Sequence, residues 1–144
     1  MKKVLIAIQN DTLAEQTLKQ GLELAKLANA TVGLVYVVDA SFYVGDAGYT
    51  VQDYIRDSHN EAKALFERLK ADYSITDNWA FIEDGKPFKK IIEAAQEWQA
   101  NYIVTGTHGH IGLAHFFEGS VAEHLIRHST VPVLVVPPAS KNKA

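Results

Sequence analysis

Short apolar runs alternate with amphipathic stretches along the whole chain, and that alternation predicts the elements. Val4-Leu5-Ile6-Ala7-Ile8 is continuously apolar, the pattern of a strand covered on both faces. Gln9-Asn10-Asp11-Thr12 is turn chemistry, and Asp11 or Thr12 can cap the helix that follows. In that helix Leu13, Leu18, Leu22, Ala25 and Leu27 recur at near-helical spacing, with Glu15, Lys19 and Lys26 among the polar positions. Gly21 in its middle costs about 1 kcal/mol against Ala, which predicts close packing on a sheet. Asn29 ends the helix, and Thr31 to Val38 is a second strand carried by Val32, Val35, Val37 and Val38.

The segment from Asp39 to Thr50, with Gly45, Gly48, Phe42, Tyr43 and Tyr49, is expected to be a loop that could move. From Val51 to Tyr73 the spacing predicts a long helix burying Ile55, Ala62, Leu65 and Leu69. Trp79-Ala80-Phe81-Ile82 is a third strand, and Pro87 suits the first turn of a helix through Ile91, Ile92, Ala95 and Trp98. Tyr102 to Thr105 is strand four, a helix opens near Gly119-Ser120 and ends around Ser129, and Val133-Leu134-Val135-Val136 is strand five. Strands alternating with helices imply a parallel sheet closed by right-handed crossovers. The expected fold is therefore one α/β domain over residues 1–138, a doubly wound five-stranded parallel sheet with helices on both faces and strand order 3-2-1-4-5. Residues 139–144 are expected to be a flexible tail. Ligands of such sheets bind beyond the carboxyl ends of the strands, where the winding direction switches. Here that crevice falls to Ala7–Asn10 and Thr105–Gly109.

Composition narrows the function classes. A chain of 144 residues is enough for one real core, and a net charge of −3 offers no broad basic field for nucleic acid or anionic lipid. Cysteine is absent, which excludes disulfides, thiolate metal sites and a Cys nucleophile. Met1-Lys2-Lys3 runs straight into a strand without the apolar core and cleavage site of a signal peptide, and no apolar run approaches the ~20 residues of a membrane span. A soluble, cytoplasmic protein is expected.

The candidate chemistry lies after strand four, in Gly106-Thr107-His108-Gly109-His110-Ile111-Gly112, from which Leu113 to Glu118 lead into Gly119-Ser120. Glycines let backbone N–H groups approach an oxyanion, and the N–H groups and dipole of a helix opening at Gly119-Ser120 favour a phosphate. Ser120 can add a hydroxyl donor. The plainer alternative is a shaped turn followed by an ordinary helix cap.

The spacing Gly106-x2-Gly109-x9-Gly119-Ser120 resembles the signature of the ATP-binding universal stress proteins. The continuation Val121-Ala122-Glu123-His124 to Val131-Pro132-Val133-Leu134-Val135-Val136, the first strand and the helical Leu18 to Ala28 region are similar to that family as well. The resemblance implies an adenine nucleotide alpha hydrolase-like fold and a cytoplasmic dimer that binds ATP, or another adenine nucleotide, with weak or no turnover, and that supports survival under stress. Carried over by position, it implies Thr105, Gly106, His108, Gly109, Gly119, Ser120 and Val121 around the phosphates and ribose. Ala7, Ile8 and Val37 would meet the adenine, largely through backbone groups. Where the family usually carries an Asp beside the ribose this chain has Gln9, which can hydrogen-bond a hydroxyl but brings no charge for a metal such as Mg²⁺. Glu118 puts an acid just before the phosphate glycine. His108 is implied to lie by the phosphates.

Other chemistries fit less well. His124 and His128 are four apart on a helix, but no third ligand is spaced to complete a zinc site, and the helical wheel leaves His124 outside and His128 on the margin. Neither a Gly-x4-Gly-Lys-[Ser/Thr] loop nor a Gly-x-Gly-x-x-Gly after strand one is present. Ser120 lacks a nucleophile elbow. Glu83-Asp84 are better explained by a solvated turn than by acid–base work. Strand five, if it lies at an edge, is apolar and not blunted by charge, which predicts a homodimer through Val133–Val136 about a two-fold. Three functions follow: a nucleotide-binding regulator, a slow ATPase, or an interaction module without nucleotide.

Overall fold

The computed structural model describes residues 1–41, 43–76, 79–107 and 120–139. The elements run β1 (Lys2–Ala7), α1 (Ala14–Ala28), β2 (Ala30–Val38), α2 (Val51–Asp72), β3 (Trp79–Asp84), α3 (Pro87–Trp98), β4 (Tyr102–Gly106), α4 (Val121–His128) and β5 (Val133–Val136). The strands form one parallel sheet in the order β3-β2-β1-β4-β5, as the alternation predicts. β1 is central, with Ile6 opposite Leu34 of β2 and Val104 of β4.

The pleat of β1 explains why its run is unbroken. Val4, Ile6 and Ile8 face α1 and α2, where they join Leu18, Ala62, Leu65, Phe66 and Leu69. Leu5 and Ala7 face α3 and α4, with Val35, Val37, Ile91, Ala95, Trp98, Ile103 and Leu125. Each face needs its own apolar set, so a central strand of two-residue period becomes apolar throughout.

Helix packing settles several sequence expectations. Gly21 lets α1 lie directly on β1: a Cβ there would sit 2.7 Å from Ile6 Cγ1. Asn29 closes α1 in the left-handed region at φ 54°. Leu27, counted above among the apolar stripe, is instead 80% exposed; α1 turns that position to solvent. In α2 the buried set gains Phe66, whereas Ile55 is half-buried. Glu83 and Asp84 extend β3 rather than forming a turn, because they pair with Val37 and Val38 of β2. Loop 39–50 is pinned to α2: Tyr43 stacks on Tyr54 at 4.7 Å, and Tyr49 donates its hydroxyl to Asp57 at 2.5 Å. Phe42 and residues 140–144, most of the expected tail, lie outside the described residues.

Candidate functional site

The switch point falls between β1 and β4, and a cavity of about 190 Å³ opens there. β1 delivers Ala7 and, just beyond it, Gln9. The chain then turns sharply: Asp11 N–H donates to Gln9 O (2.9 Å), and Leu13 N–H donates to Asp11 Oδ1 (2.9 Å). Such self-bonding is what Asp does in turns. It places the carboxylate before the helix, so α1 begins at Ala14 without a side-chain cap from Asp11 or Thr12. Leu13, Ala14 and Thr17 then wall the cavity from the first turn of α1.

β4 delivers Thr105 and Gly106 from the opposite side. Gly106 is glycine for a reason that spacing does not reveal. A Cβ there would lie 2.9 Å from Thr17 Oγ1 and 3.3 Å from Leu13 Cδ1, so the residue sets how closely β4 approaches α1. After β4 the pairing continues for one step, with Thr107 N–H donating to Val136 O at 3.0 Å.

α4 supplies the third wall. Ser120 is its extended N-cap (φ −72°, ψ 157°), and its hydroxyl oxygen accepts from Glu123 N–H at 3.1 Å. Val121 and Ala122 line the cavity, so the first N–H groups of α4, which no helical carbonyl accepts, lie at its wall. Pro87 and Ile91 of α3 complete the lining.

Of the residues expected from sequence, Ala7, Gln9, Thr105, Gly106 and Val121 come together around this cavity, and Ser120, the N-cap before Val121, is buried. Ile8 is fully buried among the α1/α2-facing side chains, and its N–H donates to Val35 O. Val37 is buried on the opposite face. Neither side chain lines the cavity. His108, Gly109, Glu118 and Gly119 lie outside the described residues. Asp11, Leu13, Ala14, Thr17, Pro87, Ile91 and Ala122 are lining residues that the glycine spacing does not point to. The signal for them is helical: Leu13 and Thr17, like Pro87 and Ile91, are four apart at a helix start and share a face.

The electrostatics are spare. Tyr36, close to the turn after β1, has its phenol pushed above the usual value by burial and by Glu61, while a backbone hydrogen bond from Asn10 works the other way. Among the described residues no group of three or more His, Asp or Glu is arranged to hold a metal ion. His124 is not outside the fold as the wheel suggests: α3 packs against α4, so its ring stacks on Phe88 at 4.5 Å and its Nδ1 is buried. His128 remains exposed, with Nδ1 2.9 Å from His124 O. A second depression lies at the ends of β2 and β3, but its carboxylates are engaged, Asp39 with Ser41 and Asp84 with His59. No helix among the described residues is long and apolar enough to cross a membrane.

Comparison with known proteins agrees with this architecture. A universal stress protein of Methanocaldococcus jannaschii is 30% identical over 139 residues, covering 94% of this chain and 81% of that protein. A solved universal stress protein from Lactobacillus plantarum shares the fold with a TM-score of 0.80 at 20% identity, over 94% of this chain and 97% of the other. Another, solved in complex with cAMP, superposes with a TM-score of 0.71 at 20% identity, over 96% and 98% of the two chains. The model of the universal stress protein family matches residues 1–137, and the chain belongs to that family.

Proposed function

We propose that this universal stress protein binds an adenine nucleotide, ATP foremost, above β1 and β4, and acts as a dimeric regulator in the cytoplasm. The observation that carries the reading is the position of the cavity: it opens at the switch point and is walled by the N-terminus of an eight-residue helix capped by a buried Ser120. Helix N-termini favour anions, and the sheet end is where doubly wound proteins hold nucleotides. The cAMP complex of a structural neighbour supports an adenine ligand.

In this reading Gly106, Ser120 and Val121, with His108, Gly109 and Gly119, surround the phosphates, and backbone groups of Ala7, Ile8 and Val37 meet the base. At about 190 Å³ the cavity is smaller than the roughly 300–1,000 Å³ of sites that engulf a ligand, so it takes one part of the nucleotide and leaves the rest at its rim. Any Mg²⁺ would arrive with the phosphates, since the described lining residues supply a single carboxylate, Asp11. Pairing of β5 (Val133–Val136) with its copy forms the dimer; its Leu134 is 40% exposed at the sheet edge.

The test is to denature the purified protein and look for released adenine nucleotide, then to measure the melting temperature with millimolar AMP, ADP or ATP. A released nucleotide, or a rise in melting temperature, supports the reading. Absence of both refutes it and leaves an interaction module. Timed phosphate release separates a regulator from a slow ATPase, and a monomer in sedimentation at micromolar concentration refutes the dimer.

A further inference from the structure

Among the polar side chains that line the cavity, Thr17 is the most deeply buried, at 2% exposure. A buried hydroxyl normally has a hydrogen-bond partner, and a threonine inside a helix commonly finds one in the carbonyl four residues back. Thr17 Oγ1 has no partner among the described residues. The Leu13 carbonyl accepts from Thr17 N–H at 2.8 Å, and no bond from the hydroxyl accompanies it. Nor is this oxygen sealed in the core. Among the described residues the fully enclosed side-chain atoms without a partner are Trp98 Nε1 and His124 Nδ1, whereas Thr17 belongs to the cavity wall and its little accessible surface faces that space. Thr17 sits a full turn down α1 from Leu13, so its hydroxyl lies at the inner end of the cavity. Gly106 is its neighbour there, and a Cβ on that glycine would come within 2.9 Å of it.

What a ligand presents to this hydroxyl follows from the other walls. Ala7, Leu13, Ala14 and Ile91 are apolar, the described lining residues include no Lys or Arg, and their one carboxylate, Asp11, repels phosphate. The cavity holds about 190 Å³, against the roughly 150 Å³ that admits a benzene ring, so a flat heterocycle fits it. Mostly apolar walls with a few placed polar groups are how proteins hold such rings. We infer that the part of the nucleotide that enters the cavity is the base, and that Thr17 is a specificity-determining residue whose hydroxyl donates to one of its ring nitrogens. A hydroxyl can turn to aim its proton at an acceptor. This rests on the nucleotide-binding reading and adds a side-chain contact to the backbone groups of Ala7, Ile8 and Val37.

The experiment is calorimetric titration of the full chain with AMP and with its 1-, 3- and 7-deaza analogues, in each of which one ring nitrogen becomes CH. The wild type should bind one analogue about five- to tenfold more weakly than AMP and the other two within about twofold, the range of a single hydrogen bond. Thr17→Val keeps the shape and removes the hydroxyl. It should bind AMP as weakly as the wild type binds that analogue, and no longer tell the two apart. Thr17→Ser returns a hydroxyl and should return the distinction. If Val fails to fold, Thr17→Ala removes the same hydroxyl with the same expected outcome. Without ligand, Thr17→Val should hold or raise the urea midpoint, because the hydroxyl has no protein partner to lose. A lower midpoint with unchanged AMP affinity gives the hydroxyl to the fold and overturns the assignment. So does a variant that weakens all four ligands by one factor, or a wild type that binds all four equally, although nucleotide binding itself then stands. A wild type that binds none of them overturns both readings.

Discussion

Replacing Gly106 by Ala separates two reasons for a glycine at the end of β4: access of a phosphate to the backbone, and contact between β4 and α1. The added methyl would sit 2.9 Å from Thr17 Oγ1, 3.3 Å from Leu13 Cδ1 and 3.5 Å from Leu13 Cβ. Thr17 is buried in α1, where close packing leaves its side chain little room to yield. Overpacking of this kind costs about 1–3 kcal/mol, offset by the roughly 0.4–1 kcal/mol that Gly→Ala contributes by restricting the unfolded chain. The expected net loss is about 1–2 kcal/mol, without nucleotide present. With a urea slope of about 2 kcal/mol/M, the unfolding midpoint should fall by about 0.5–1 M at unchanged slope. Protein concentration must be held fixed, because the stability of the proposed dimer would depend on it. Adding Thr17→Ala removes the nearest atom, so the double variant should recover part of the loss, a coupling of about 1 kcal/mol. A midpoint that Gly106→Ala leaves in place or raises would refute the packing role and return this glycine to the ligand alone.

Gly33→Ala should cost more, about 2–3 kcal/mol. Its Cβ would lie 2.7 Å from Trp98 Cη2, on a buried ring already packed by Phe81 and Trp79; a urea midpoint equal to wild type would show that the ring can move. Thr50 N–H donates to the Asp53 carboxylate at 2.8 Å and holds its pKa below the usual 3.8. Since the folded pKa is depressed, that stabilisation is complete above the unfolded value and is lost as pH falls through the folded one. Urea midpoints below about pH 4 should therefore decline less steeply in Asp53→Asn than in wild type, and parallel curves would contradict the capping role. Tyr49, hydrogen-bonded to Asp57, has its phenol pushed up to about 12. Absorbance titration should show a tyrosine phase near that pH which disappears in Tyr49→Phe; an unchanged curve would mean that the Asp57 bond does not persist in solution.

The fold was legible because its signals are local. A central strand covered on both faces must be apolar throughout, and Val4 to Ile8 is; Asn29 and Gly21 stand where a helix must stop and where it must touch a strand. Leu27 shows the limit of periodicity, since a stripe drawn wide enough to hold it cannot say which margin the sheet leaves uncovered. His124 shows the same limit from the other side: the wheel knows nothing of Phe88, which reaches it from α3. The site was legible as a place, since the ends of β1 and β4 follow from strand order. Its walls were not. Thr17 becomes a wall only because Gly106 allows α1 close, and that is a relation between residues far apart in sequence.

The helices that follow β1 and β4 also differ in the charge at their starts. In a doubly wound sheet the helices after β1 and β4 both begin at the switch point, so both could offer N–H groups to the same anion. Here the turn after β1 is tied by Asp11 to Leu13 N–H, so an acid stands in front of α1 and that end is already answered by the protein's own carboxylate. α4 begins instead from an uncharged Ser120, and its acid, Glu123, is bonded to Arg127. In the proposed reading, an anion entering the crevice meets a carboxylate at the first helix and N–H groups at the second, although the two helices start at equivalent places in the fold. Exchanging the chemistry of the two ends, with Asp11→Ser and Ser120→Asp together, should abolish anion binding at α4. Each new side chain retains an oxygen for its local N–H, so the melting temperature should change by only a few degrees, given about 2–4 °C per kcal/mol at this chain length. If nucleotide binding persisted in that double variant, the polarity would have to come from some other group, and the orientation assigned to the ligand would fall with it.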